Sequence, residues 1–169
     1  MRLSQYAVVN ALFVCALVGS TVTQSLPLHS WARQQSLLGE GIPADPQIPS
    51  RQMISPQELN GLLKSSKPLI LQVGPRSLYQ QAHIPGAEYI GATSAPEGLS
   101  ALRDRVKSLP KDTLIVVYCG CCPWNRCPNV RPAYKQLRDL GYSNVRVLYI
   151  ADNFGTNWVE KGYPVAKGA

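Results

Sequence analysis

Apolar and polar positions follow two rhythms along this chain, and the switches between them mark its elements. Leu59, Leu62 and Leu63 recur at the helical spacing i, i+3, i+4. Ser55-Pro56-Gln57-Glu58 precedes them, with Ser three residues before Glu as in a capping box and Pro at the first helical position. This predicts a short helix ending near Ser65. Residues 68–73 (PLILQV) are a continuous apolar run stopped by Gly74 and Pro75, the composition of a buried strand. Residues 77–82 predict one or two helical turns. His83-Ile84-Pro85-Gly86-Ala87 predicts a tight turn into a second strand at Tyr89 and Ile90, with Gly86 where a side chain would be strained and His83 as a structural hydrogen-bonding group. Leu99, Leu102, Val106 and Leu109 mark one face of a helix over 96–109. Residues 113–118 (TLIVVY), unbroken and rich in β-branched side chains, predict a central strand. Ala133, Leu137 and Leu140 then give a helical face stopped by Gly141, residues 144–150 a last strand, and residues 153–162 a turn or short helix.

Strands alternating with helices predict an α/β class: one domain on a central parallel sheet with helices on both faces. A chain of 169 residues with 45% hydrophobic content supports one sizeable core. No internal repeat or low-complexity tract interrupts it.

The front of the chain follows neither rhythm. Arg2 and the apolar run over residues 6–18, followed by Gly19 and Ser20, have the pattern of a signal peptide, assigned to residues 1–25. The run is shorter than a comfortable membrane span, so no stable membrane insertion is expected. Cys15 lies inside it and is expected to leave with the leader. Residues 26–53, with Pro27, Pro43, Pro46 and Pro49, predict a linker or extended arm. The domain is assigned to residues 54–166. A periplasmic or secreted location follows from the leader, and with it an oxidising compartment.

Charge changes little. The formal net charge is +7, but the basic residues are scattered, so no nucleic-acid partner is expected. The loop after the central strand changes more. Cys119, Cys121, Cys122 and Cys127 fall within nine residues, and no Asp or Glu lies between Asp112 and Asp139. Arg126, Arg131, Lys135 and Arg138 do. Thiols at a strand end, beside a helix start and cations, sit where thiolates are stabilised. Three uses are open: a sulfur carrier with neighbouring thiols that resolve it; a redox or soft-metal site for Cu(I) or Zn²⁺; or one or two structural disulfides in a binding module. Pro123 and Trp124 either line the opening or pack the loop onto the domain.

In order along the chain, ISPQEL, LILQV, HIPGA, LIVVYC, LGYSNVRVL and KGYPV resemble the rhodanese-like domain family from about Ile54 to Val165. The resemblance implies a small α/β domain with a parallel sheet. It implies sulfane-sulfur transfer through a cysteine persulfide, with a small anionic donor such as thiosulfate and a thiol acceptor as partners, and neither cofactor nor metal. Cys119 matches the family's sulfur-carrying cysteine. Cys122 and Arg126 join it as catalytic candidates, and Gly120, Cys121, Trp124, Asn125 and Arg131 as substrate-binding ones. The chain departs from the family in its longer loop and in Gln72-Val73-Gly74, where Asp-Val-Arg is usual, with Arg76 displaced.

Overall fold

A computed structural model describes residues 41–168, and all that follows concerns them. The leader assigned to 1–25 and the first part of the arm lie outside the described residues. The sheet has five strands: β1 (Met53–Ile54), β2 (Leu69–Gln72), β3 (Glu88–Tyr89), β4 (Ile115–Tyr118) and β5 (Val145–Leu148). Their order is β1-β5-β4-β2-β3, and every pair is parallel. Four helices accompany them: α1 (Pro56–Ser65), α2 (Arg76–Gln81), α3 (Pro96–Val106) and α4 (Val130–Asp139).

The period-2 geometry of a strand divides the core between the two faces. Leu71, Ile115, Val117, Val145 and Val147 pack with Leu102 and Val106 of α3 and with Ala133 and Leu137 of α4. The intervening Ile70, Val116, Tyr118 and Leu148 pack on the other face with Leu59 of α1, Tyr79 of α2, and Trp158. The expected sheet with helices on both faces is therefore present. α1 starts as its sequence dictates: Ser55 Oγ accepts from the Glu58 N–H at 3.2 Å, and the Glu58 carboxylate accepts from the Ser55 N–H at 2.8 Å.

The arm adds what its sequence does not announce. Ile48 is fully buried, a short 3₁₀ turn spans Ser50–Gln52, and β1 pairs with β5. The domain's packing thus reaches back to residues 45–53, which the apolar pattern alone assigns to a linker. His83 is structural: it is buried, stacks on Tyr79 at 3.9 Å, places Nδ1 2.7 Å from the Tyr79 carbonyl oxygen, and bridges Ala166 through its backbone.

The order of strands fixes where a site forms. β2 leads through α2 on one face and β4 leads to α4 on the other, so a crevice opens at the carboxyl ends of adjacent β2 and β4.

Candidate active site

Cys119 follows β4 at that crevice. Its residue is 2% exposed, and it borders a cavity of about 270 Å³ lined also by Gln72, Leu78, Tyr118, Gly120 and Phe154. Two glycines make its position possible. Gly120 has φ +73° and packs so closely on Phe154 that a Cβ would lie 2.6 Å from the Phe154 Cβ. A Cβ on Gly74 would lie 2.8 Å from Cys119 Sγ. Gln72, buried at the end of β2, works through its neutral amide. Its Nε2 donates to the Cys119 carbonyl at 3.4 Å, and its Oε1 accepts from the Gly74 N–H at 3.2 Å.

The sulfurs form a chain. Cys119 Sγ lies 3.2 Å from Cys121 Sγ, which lies 3.1 Å from Cys122 Sγ. The sulfurs of Cys119, Cys121 and Cys127 all lie within 4.8 Å of one another. None of these four loop cysteines is in a disulfide. Three soft donors together are one short of a closed tetrahedral zinc set.

Cys127 is the residue that sequence reasoning under-used. It is buried, its sulfur lies within 4.8 Å of those of Cys119 and Cys121, and it stands just before the start of α4. The Cys119 hydrogen bond, helped by the backbone N–H groups of Asn129 and Val130, outweighs burial and brings the Cys127 thiol down to about 6. The Cys119 thiol moves up, first because it donates to Cys127 and then because it is buried. Burial, then the Cys121 contact, pushes Cys122 up to about 12. These opposite shifts favour the proton on Cys119 and the charge on Cys127. Asn129 also orients the nucleophile: its Nδ2 donates to Cys119 Sγ at 3.3 Å, while its Oδ1 accepts from the Ser94 N–H at 2.9 Å.

The loop arginines lie elsewhere. Arg131 meets Asp45 at 2.7 Å, and its Nη1 donates to the carbonyls of Trp124 and Cys127 at 3.3 and 3.2 Å. Trp124 is buried against Tyr149, and its Nε1 donates to Asp45 at 3.1 Å. Asn125 and Arg126 sit exposed on the 3₁₀ turn Trp124–Arg126. Of the residues singled out from sequence, the structure gathers Cys119, Gly120 and Cys121 at the cavity, and Cys122 beside Cys121. It places Trp124 and Arg131 in the loop's attachment to the arm. The acid-free stretch is compensated across the fold by Asp45, a contact with no local sequence signal.

The family model for the rhodanese-like domain matches residues 55–149, more than half of the chain. No curated protein matches it. Among solved structures, the rhodanese-like domain of Alr3790 from Anabaena sp is 24% identical, with a TM-score of 0.51, covering 69% of this chain and 79% of that one. BH2092 from Bacillus halodurans is 21% identical, with a TM-score of 0.51, covering 68% and 76%. A double-cysteine variant of EanB, solved with hercynine, is 25% identical, with a TM-score of 0.52, covering 69% of this chain but only 27% of EanB. EanB has also been solved as a cysteine persulfide with ergothioneine. By its family match the chain belongs to the rhodanese-like domain family.

Proposed function

We propose that this protein is a sulfurtransferase-type rhodanese domain that carries sulfane sulfur as a persulfide on Cys119, acting outside the cytoplasm. The observation that carries the reading is Cys119 itself, at the end of the central strand, on a cavity, with the Cys121 and Cys127 sulfurs within 4.8 Å. The persulfide form of EanB, a neighbour in fold, is in keeping with it.

The chemistry follows from the pair. Cys127 takes the Cys119 proton as Cys119 Sγ attacks the outer sulfur of a small anionic donor such as thiosulfate. The donor's S–S bond breaks, sulfite leaves with the electron pair, and Cys119 holds a persulfide. The carboxyl-end position and the Asn129 amide favour the anionic sulfur. A thiol acceptor then removes the outer sulfur. Cys121 and Gly120 border the cavity where donor and acceptor meet Cys119. Arg126, exposed near the loop, is proposed to attract the anion through long-range charge. Arg131 supports the loop through Asp45.

The test is single-turnover sulfite release from thiosulfate by reduced protein. Cys119→Ser abolishes release, and Cys122→Ser retains it. Loss in Cys122→Ser with release kept in Cys119→Ser moves the nucleophile to Cys122. The location rests on the leader pattern of residues 1–25. Sequencing the mature N-terminus checks it, with a start between Ser20 and Leu26 expected and a cytoplasmic chain beginning at Met1 against it. Among the described residues no helix is long and apolar enough to cross a membrane.

A further inference from the structure

Cys119 borders a cavity and also has the buried Cys127 nearby, their sulfurs within 4.8 Å of each other. Cys119, Gly120 and Cys121 line the cavity, and Cys127 does not. Cys127 is buried, and Arg131 Nη1 donates to its carbonyl. A persulfide on Cys119 has room for its outer sulfur in the cavity, whereas toward Gly74 even a single Cβ would touch Cys119 Sγ. Displacement at sulfur runs in line, with the attacking thiolate opposite the breaking bond. Cys127 is the nearby buried thiol that lies outside the cavity lining.

We propose that Cys127 resolves the Cys119 persulfide, so that the protein reduces sulfane sulfur to hydrosulfide at the expense of two of its own thiols. The proposal rests on the sulfur-transfer reading above. The Cys127 proton passes to the outer sulfur, and Cys127 Sγ attacks Cys119 Sγ. A Cys119–Cys127 disulfide forms, the bond to the outer sulfur breaks, and hydrosulfide leaves into the cavity with the electron pair. The sulfane sulfur gains two electrons and the two cysteines lose them, so no outside oxidant is needed. With thiosulfate the sum is thiosulfate and two thiols giving sulfite, hydrogen sulfide and one disulfide. Turnover requires an external dithiol as reductant.

The other thiols fit this step less well. Cys121 Sγ is 3.2 Å from Cys119 Sγ, but Cys121 borders the cavity, on the leaving-group side. Cys122 contacts Cys121. These two are half-buried, whereas Cys119 and Cys127 are buried.

The experiment uses the full mature chain, reduced, freed of small thiols and kept anaerobic, with thiosulfate added. Sulfite and sulfide are measured in the same sample, and disulfides are mapped by peptide mass. Wild type is expected to give sulfide and sulfite in a ratio of about one, with a Cys119–Cys127 linkage. In Cys127→Ser the ratio falls about tenfold or more and the persulfide accumulates, whatever the rate of sulfite release. Sulfite without sulfide in the wild type, with a lasting persulfide, overturns the proposal and leaves sulfur transfer standing. A ratio kept in Cys127→Ser and lost in Cys121→Ser overturns it in favour of Cys121. If Cys127→Ser does not fold, the wild-type linkage decides: a Cys119–Cys121 disulfide in place of Cys119–Cys127 refutes it. No sulfite from wild type overturns both readings.

Discussion

Asp45 meets Arg131 across 86 residues of sequence, with Arg131 Nη2 and Nε donating to one carboxylate oxygen at 2.7 and 3.1 Å. The same arginine holds the Trp124 and Cys127 carbonyls, so the pair joins the arm to the cysteine loop. The Asp45 side chain is 1% exposed and that of Arg131 20%. Removing one partner of a pair buried to this degree costs about 3 kcal/mol.

Arg131→Ala is therefore expected to lose about 3 kcal/mol in chemical denaturation and to slow sulfite release by loosening Cys127. Arg131→Lys should recover little, because an ammonium lacks the fork that serves a carboxylate and two carbonyls together. Full stability in Arg131→Ala would show that the arm and the loop do not support each other. Burial raises the Asp45 carboxyl, but hydrogen bonds from Arg131, Gln47 and Ile48 and the Arg131 charge outweigh it and hold it below its ordinary value. Its contribution is present above the unfolded carboxyl's titration range and is lost as pH falls through the lower folded value. Asp45→Asn should flatten that acid limb of the stability profile.

Gly74→Ala tests how tightly Cys119 is seated. The added methyl would lie 2.8 Å from Cys119 Sγ and 3.0 Å from Gln72 Nε2, with backbone of Cys119 at 3.4 Å. Something must shift, and overpacking of this kind costs about 1–3 kcal/mol. Sulfite release is expected to fall by more than the melting change explains, since the nucleophile itself moves. Parent-like release would mean the Cys119 sulfur is free to relocate.

The pH profile distinguishes the base from the nucleophile. With Cys127 brought down to about 6 by the Cys119 hydrogen bond and the N–H groups of Asn129 and Val130, single-turnover sulfite release should be lost as pH falls through about 6. Above that it should be level, because the thiolate that accepts the proton is already formed. In Cys127→Ser the profile should move to alkaline pH, where Cys119 must ionise unaided. A wild-type profile that rises only above about pH 8 would place the ionisation on an ordinary thiol.

Gly86, with φ +79°, has nothing within 4 Å of where a Cβ would sit. Its constraint is backbone conformation alone. Gly86→Val should destabilise by about 1–2 kcal/mol and leave persulfide formation per folded molecule unchanged. A variant that melts like the parent would contradict the turn's dependence on glycine.

Those positions mark how far the sequence carries. Ser55 and Glu58 cap α1, the PLILQV and TLIVVY runs become β2 and β4, and Gly86 takes positive φ. Each depends on neighbours in sequence or on a local period. β1, only two residues long, has no period to read, and its Pro-rich approach conceals the buried Ile48. The Asp45 contact depends on folding across the whole domain. Cys127 owes its place beside Cys119 to where α4 begins and how the loop turns back, neither of which cysteine spacing specifies. Trp124 is sequestered by Asp45 and Tyr149, distant partners that favour packing over lining the opening.

The most direct measurement of sulfur transfer is intact mass with peptide mapping of reduced Cys127→Ser after thiosulfate, beside reduced wild type and Cys119→Ser. A single added sulfur on the Cys119 peptide of Cys127→Ser, absent from Cys119→Ser, is the expected result. No sulfur adduct, sulfite or sulfide from any of the three, or an adduct on Cys121 or Cys122 that persists in Cys119→Ser, would contradict Cys119 as the sulfur carrier.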